Sequence, residues 1–190
     1  MRILFMITGM ALVAGLANTA HADMKADCEQ NENQELRING CTAAISSGEW
    51  QGKNLAWAHI NRGRAHRMQD DYSLAIEDYD QALSLDPDSF IAYMNRGITR
   101  SGMALYSRAI EDYNEALRLD LNSVAALSNR GNAYSSIGQH LRAIEDFDQA
   151  LELNSDHMFS YNNRGSAYTH LGEHRRAIED YDEALRRDPN

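Results

Sequence analysis

One nine-residue phrase recurs four times in this chain: AIEDYDQAL at residues 75–83, AIEDYNEAL at 109–117, AIEDFDQAL at 143–151 and AIEDYDEAL at 177–185. The tripeptide Asn-Arg-Gly also occurs four times, at 61–63, 95–97, 129–131 and 163–165. Both phrases recur at a step of 34 residues. Two phrases that keep one period indicate tandem structural repeats, in which each unit buries its faces against its neighbours.

Each repeat is expected to contain two α-helices. Ala75, Tyr79 and Ala82 are spaced i, i+4, i+7 in the second half of the first repeat, and the first half of the third repeat has the same spacing from Leu127. This spacing places side chains on one helical face. The sequence therefore predicts an all-α fold made of helix pairs.

The pattern resembles the tetratricopeptide repeat (TPR), a family with a 34-residue period and small or aromatic residues at fixed places. The residues that carry the resemblance are Gly63, Gly97, Gly131 and Gly165 in the first helices and Ala75, Tyr79, Ala82 and their equivalents in the second helices. The resemblance implies a right-handed superhelical solenoid of antiparallel helix pairs. Its four units would be residues 56–89, 90–123, 124–157 and 158–190, preceded by an atypical helical cap at 23–55.

Composition and motifs exclude several classes of function. The chain has 18 Lys and Arg residues against 28 Asp and Glu, a net charge of −10. It therefore lacks the basic character of nucleic-acid and anionic-membrane binders. No nucleophile motif, zinc-protease motif or phosphate-binding loop occurs. His170 and His174 flank the turn at Gly172 and do not share a helical face as a zinc pair would. We predict no enzymatic activity, no cofactor and no metal.

The N-terminus predicts export. Arg2 is followed by an apolar run over 3–16, and Ala20-His21-Ala22 is an A-x-A cleavage site. These features are typical of a secretory signal peptide at 1–22, cleaved after Ala22. The alternative is a membrane anchor, but the run is shorter than the ~20 residues of a spanning helix. We expect a periplasmic or secreted protein with no membrane span after cleavage.

Cys28 and Cys41 are the only cysteines. In an oxidising compartment we expect them to form a disulfide that stabilises the cap. A redox-active pair is the alternative, but the chain has no C-x-x-C motif.

An arginine precedes the glycine in every Asn-Arg-Gly, where the TPR pattern usually has leucine. Each repeat also has an aspartate directly before the aromatic residue of its second helix. We predict four ion pairs within repeats: Arg62–Asp78, Arg96–Asp112, Arg130–Asp146 and Arg164–Asp180. The alternative is that the arginines face solvent. If a pair forms on the exposed surface, it contributes only about 0–1 kcal/mol.

The TPR resemblance implies a concave groove, lined by the first helices, that binds an extended peptide or a partner helix. The groove positions are Trp57, Ile60, Asn61 and Arg64, then Ile91, Met94, Asn95 and Ile98, then Asn129 and Asn132, then Phe159, Asn162 and Asn163. The asparagine of each Asn-Arg-Gly would grip peptide main chain, because an amide both donates and accepts. The alternative is that each asparagine packs locally.

The sequence therefore predicts a non-catalytic scaffold of the cell envelope that binds a protein or peptide partner. A structural subunit that self-associates through the C-terminal end is the alternative. No helix that would cover the last pair follows the fourth repeat in this sequence, and exposed apolar faces favour contact with another chain.

Overall fold

The computed structural model describes residues 23–187, which form two compact units that divide after Pro87. The regular secondary structure of these residues is entirely helical, so the all-α prediction is confirmed. None of the described helices is long and apolar enough to cross a membrane. The predicted signal peptide and its cleavage after Ala22 lie outside the described residues.

Unit 1 contains a cap and one helix pair. Helix α1 covers residues 23–29 and is followed by α2 (Gln34–Ser46). A short 3₁₀-helix (Gly52–Leu55) leads into α3 (Ala56–Met68), and α4 (Tyr72–Leu85) follows after a tight turn. Helix α3 packs against both α2 and α4. The sequence predicts a loop up to Gly52 but contains no signal for the 3₁₀-helix.

The cap is held together at the crossing of α1 and α2. Cys28 and Cys41 form the expected disulfide, and both are fully buried beside Ala44. A side chain on Gly40 would lie 2.7 Å from the Cys28 amide nitrogen, so only glycine allows this approach. Arg37 is also buried here, with its Nε 2.5 Å from the Gln30 carbonyl oxygen. It therefore satisfies a carbonyl at the end of α1.

Unit 2 contains three helix pairs. These are α5 (Phe90–Gly102) with α6 (Tyr106–Leu119), α7 (Val124–Ser136) with α8 (His140–Leu153), and α9 (Met158–His170) with α10 (His174–Arg187). Within this unit α6 also packs on α7, and α8 on α9. The sequence explains the helix starts, because Ser89 and Ser123 each accept a hydrogen bond from a backbone amide in the first turn.

The aromatic residue of each second helix lies over the glycine of its own repeat. A side chain on Gly97 would lie 2.6 Å from the ring of Tyr113, so the helices can cross this closely only at glycine. Tyr113 is buried in a core that continues to Ala126 and Leu127 of the next repeat. The repeated glycine and aromatic positions thus set the distance between paired helices.

Candidate functional site

The structure brings together all four arginine–aspartate pairs that the sequence predicts. The nitrogen–oxygen distances are 2.7 Å for Arg62–Asp78 and 2.6 Å for Arg96–Asp112, Arg130–Asp146 and Arg164–Asp180. The aspartates are buried, so these pairs are not the exposed, weakly stabilising pairs of a solvated surface. Removing one partner would leave a buried charge without its hydrogen bonds.

The arginines also bridge neighbouring repeats within unit 2. The Nη1 of Arg130 donates to Asn114 Oδ1 at 2.8 Å, and the Nη1 of Arg164 donates to Asp148 Oδ1 at 2.5 Å. Each of these arginines therefore contacts the second helix of its own repeat and that of the repeat before it. A leucine at these two positions could make neither contact.

The pKa of Asp78 in unit 1 is shifted in the opposite direction to the pKa values of Asp112 and Asp146 in unit 2. Burial raises the pKa of Asp146 above its ordinary value, although Arg130 opposes the shift. Burial also raises the pKa of Asp112, where Arg96 opposes the shift. Burial acts in the same direction on Asp78. There, hydrogen bonds from His59 and Arg62 outweigh it and lower the pKa.

A polar pocket lies between α7 and α9 in unit 2, with a volume of about 240 Å³. Its lining is Ala125, Ser128, Asn129 and Asn132 from the α7 side and His157, Phe159 and Asn163 from the α9 side. The three asparagine amides make no hydrogen bond to another described residue. They are therefore available to a ligand, and no Asp, Glu, Lys or Arg lines the pocket.

A hydrogen-bonded cluster supports the floor of this pocket. His157 Nδ1 lies 2.8 Å from Ser160 Oγ, which lies 2.8 Å from Ser128 Oγ. Burial lowers the pKa of His157, so the ring is neutral near pH 7. The Ser160 hydroxyl is fully buried, and the cluster fixes the His157 ring at the pocket edge rather than exposing a nucleophile.

His157 and Ser160 are not among the site residues predicted from the sequence. Both depart from the internal repeat: His157 stands where Ser89 and Ser123 cap the earlier first helices, and Ser160 stands where those helices have alanine. Two departures three residues apart, in an otherwise regular repeat, were the available signal.

Other predicted groove residues of unit 2 lie elsewhere. The structure corrects the prediction that Met94 lines the groove. Only 7% of its surface is exposed, and it packs in the core with Tyr113 because this position faces α6 and α7. Ile98 packs partly against the same core. The Asn95 amide donates to the Ile91 carbonyl at 2.8 Å, which is the local packing that the sequence left open.

Two predicted groove residues are exposed but outside the pocket. Ile91 on α5 and Asn162 on α9 are both exposed, and neither belongs to the pocket lining. Asn162 directly precedes a pocket residue, so it provides a matched control for substitutions of Asn163.

The predicted groove residues of unit 1 lie on α3. Trp57 packs against the disulfide cluster and meets Trp50 edge-on, with ring centroids 5.4 Å apart. Ile60, Asn61 and Arg64 are half-buried on the same helix. The groove along all four repeats stays a prediction.

His170, one of the two histidines that the sequence analysis considered as a zinc pair, lies at the end of α9 beside His140 at the start of α8. His170 stacks on His140 with ring centroids 4.6 Å apart and planes within 2° of parallel. Parallel stacked rings do not direct two nitrogens at one ion. Within residues 23–187 no group of three His, Cys, Asp or Glu side chains is arranged to hold a metal.

The tetratricopeptide repeat model matches residues 56–89, 124–157 and 159–190 of this chain. A second model, described as TPR repeat, matches residues 106–138. No curated protein sequence matches the chain.

Several solved structures share the fold. MamA of Desulfovibrio magneticus RS-1, from its residue 41 to its end, has a TM-score of 0.80 at 18% identity, covering 91% of this chain and 95% of that one. A second crystal structure of MamA has a TM-score of 0.78 at 20% identity, covering 92% and 93%. The first TPR of Spaghetti, bound to the HSP90 peptide SRMEEVD, has a TM-score of 0.62 at 23% identity, covering 66% and 99%. At such identities the likeness concerns the fold alone.

Proposed function

The chain belongs to the tetratricopeptide repeat family, and we propose that it is a non-catalytic protein-interaction scaffold whose α7–α9 pocket binds the main chain of an extended peptide. One observation carries the proposal: the unpaired amides of Asn129, Asn132 and Asn163 converge on one pocket. An amide that both donates and accepts matches the alternating N–H and C=O groups of a peptide.

The polar lining favours an extended peptide over a partner helix. In a helix the backbone N–H and C=O groups are already bonded to each other, so the pocket amides would find few partners. In an extended segment these groups are free until a binding protein pairs them. That a similar fold was solved with a bound peptide supports this class of ligand.

The pocket selects an uncharged stretch of the partner. Its side chains carry three amides, one hydroxyl and a neutral imidazole but no formal charge. Phe159 lies 62% exposed at the rim and offers an aromatic face to an apolar side chain of the ligand. Affinity thus comes from main-chain hydrogen bonds and one apolar contact.

The proposed setting is an oxidising compartment, the periplasm or the medium. A secretory signal pattern at residues 1–22 and the buried Cys28–Cys41 disulfide support this setting, because disulfides persist in oxidising compartments.

The test is selection of 12-residue peptides from a phage-displayed random library on the purified, oxidised chain. Selected peptides are then synthesised, labelled and titrated by fluorescence anisotropy. We expect Asn163→Ala to weaken binding about five- to tenfold, because loss of a hydrogen bond costs about 1–1.5 kcal/mol. Methylation of the contacted peptide nitrogen should weaken binding similarly.

Asn162→Ala is the matched control and should bind as the unaltered chain does. Equal affinity of Asn163→Ala and Asn162→Ala for every selected peptide would contradict the proposal. So would peptides that bind as stable helices by circular dichroism.

A further inference from the structure

A second surface of unit 2 lies on the last helix pair. We define the α10 face as Ile178, Tyr181, Asp182 and Leu185. Ile178 is 59% exposed, Tyr181 36% and Leu185 64%. A contiguous patch of exposed apolar side chains is typical of an interaction surface.

The same positions are buried in the two preceding repeats. The equivalents of these apolar residues are Ile110, Tyr113 and Leu117 on α6, and Ile144, Phe147 and Leu151 on α8. All six are less than 10% exposed. Helix α7 packs on α6, and α9 packs on α8. The chain thus shows twice what covers this face: an α-helix with small residues, such as Ala126 and Ala133 of α7.

Asp182, the polar residue of the α10 face, also has equivalents in the two preceding repeats. Its equivalents Asn114 and Asp148 accept hydrogen bonds from Arg130 and Arg164 of the covering helices. No described residue bonds to the Asp182 carboxylate. The α10 face therefore combines an apolar surface with an acceptor placed where an arginine binds in the two preceding repeats.

We propose that the α10 face binds an amphipathic helix of another polypeptide, with small residues on its contact side and one arginine directed at Asp182. The arginine would pair with a carboxylate beside apolar surface, as Arg164 pairs with Asp148. This site is separate from the α7–α9 pocket, and none of its residues lines that pocket.

Helices α7 and α9 of a second folded copy are not free to cover the α10 face, because they already pack on α6 and α8. The Nη1 groups of their arginines are also occupied, Arg130 at Asn114 and Arg164 at Asp148. We therefore assign the face to a helix of another polypeptide.

The test joins a probe helix to the full chain. Residues 122–137, which contain α7, are repeated after Asn190 through a flexible Gly/Ser linker of about 15 residues, which gives an effective concentration in the millimolar range. We expect the thermal midpoint of unfolding to rise by roughly 2–4 °C, with slower amide hydrogen exchange in α10. In the control, Arg130→Ala is placed in the appended copy only, and this protein should show about half of the rise in thermal midpoint.

Two variants on α10 decide the assignment. Leu185→Glu should abolish the shift, and Asp182→Ala should make the appended arginine and alanine versions equal. A shift that persists in Leu185→Glu, or an arginine effect that persists in Asp182→Ala, would overturn the proposal. So would no shift at all, or a dimer of the unmodified chain that Leu185→Glu dissociates in sedimentation, since the latter assigns the face to a second copy.

Discussion

Helices α8 and α10 carry nearly the same sequence, AIEDFDQAL against AIEDYDEAL, yet one is covered and the other is open. Both hold their aspartate in an ion pair with the first helix of their own repeat. They differ in what lies on the opposite side: α9 packs on α8, while no described helix covers the equivalent face of α10. The repeated sequence therefore specifies the helix and the ion pair within its repeat. The neighbouring helix determines whether the apolar residues of that sequence are buried and stabilise the fold.

The first helices of the same two repeats differ in a second way. Helix α7 is capped by Ser123, whose hydroxyl accepts from the Ala126 amide. Helix α9 is preceded by His157, whose side chain bonds Ser160 and makes no such cap. The third repeat thus follows the repeat pattern at its start, while the fourth departs from it beside the pocket.

The largest difference is expected between Phe147→Ala and Tyr181→Ala. Phe147 is fully buried, so its truncation should lower the free energy of unfolding by about 3–5 kcal/mol. Tyr181 is already partly in water, so its truncation should cost about 1–2 kcal/mol. Equilibrium urea unfolding followed by circular dichroism measures both.

Leu141→Ala is the control for this comparison, because Leu141 is an exposed apolar residue of α8. Its truncation should change the free energy by no more than about 0.5 kcal/mol. Equal costs for Phe147→Ala and Tyr181→Ala would show that α10 is covered in solution, and the contrast between the helices would fail.

The internal repeats made much of this structure readable from sequence. Four copies act as an alignment, so the pairing of Arg130 with Asp146 follows from its recurrence in every repeat. The helix pairs follow from the spacing of residues such as Ala143 and Phe147. What repeats is what any repeat protein needs to pack its own helices.

The sequence was less informative where a position serves different neighbours. Met94 and Ser128 are equivalent in the repeat, yet Met94 lies in the core while Ser128 joins the cluster beneath the pocket. The asparagines differ in the same way, because Asn95 bonds its own helix while Asn129 lines the pocket. Periodicity places a residue on a face, but the packing of the next helix determines which part of that face is open.

The start of α9 yields a pH-dependent prediction. Burial lowers the pKa of His157 below its ordinary value of about 6.5. As the pH falls through about 6.5, the unfolded chain binds a proton there before the folded chain does, so the free energy of unfolding decreases. His157→Ser should remove this part of the pH dependence and install the serine cap of α7.

At pH 7.5 the same variant should change stability by less than about 1 kcal/mol. The new cap contributes about 1 kcal/mol, and the lost bond to Ser160 offsets it by a similar amount. The measurement is the difference in free energy of unfolding between the two proteins from pH 7.5 to pH 5, in which the other histidines cancel. A difference that does not change with pH would mean that His157 is not held neutral by the fold.

The smallest expected effect separates Asp148 from Asp182. Asp148 accepts from Arg164 across the α8–α9 contact but is half-exposed, so Asp148→Ala should cost about 0.2–1 kcal/mol. Asp182→Ala should cost nothing measurable, because no described side chain bonds to its carboxylate. Urea unfolding of the two variants and of the double variant measures both costs, and the double variant should equal Asp148→Ala alone. A loss of stability in Asp182→Ala comparable to that in Asp148→Ala would mean that its carboxylate already has a partner, and the contrast between the covered and the open helix would then not extend to their charged residues.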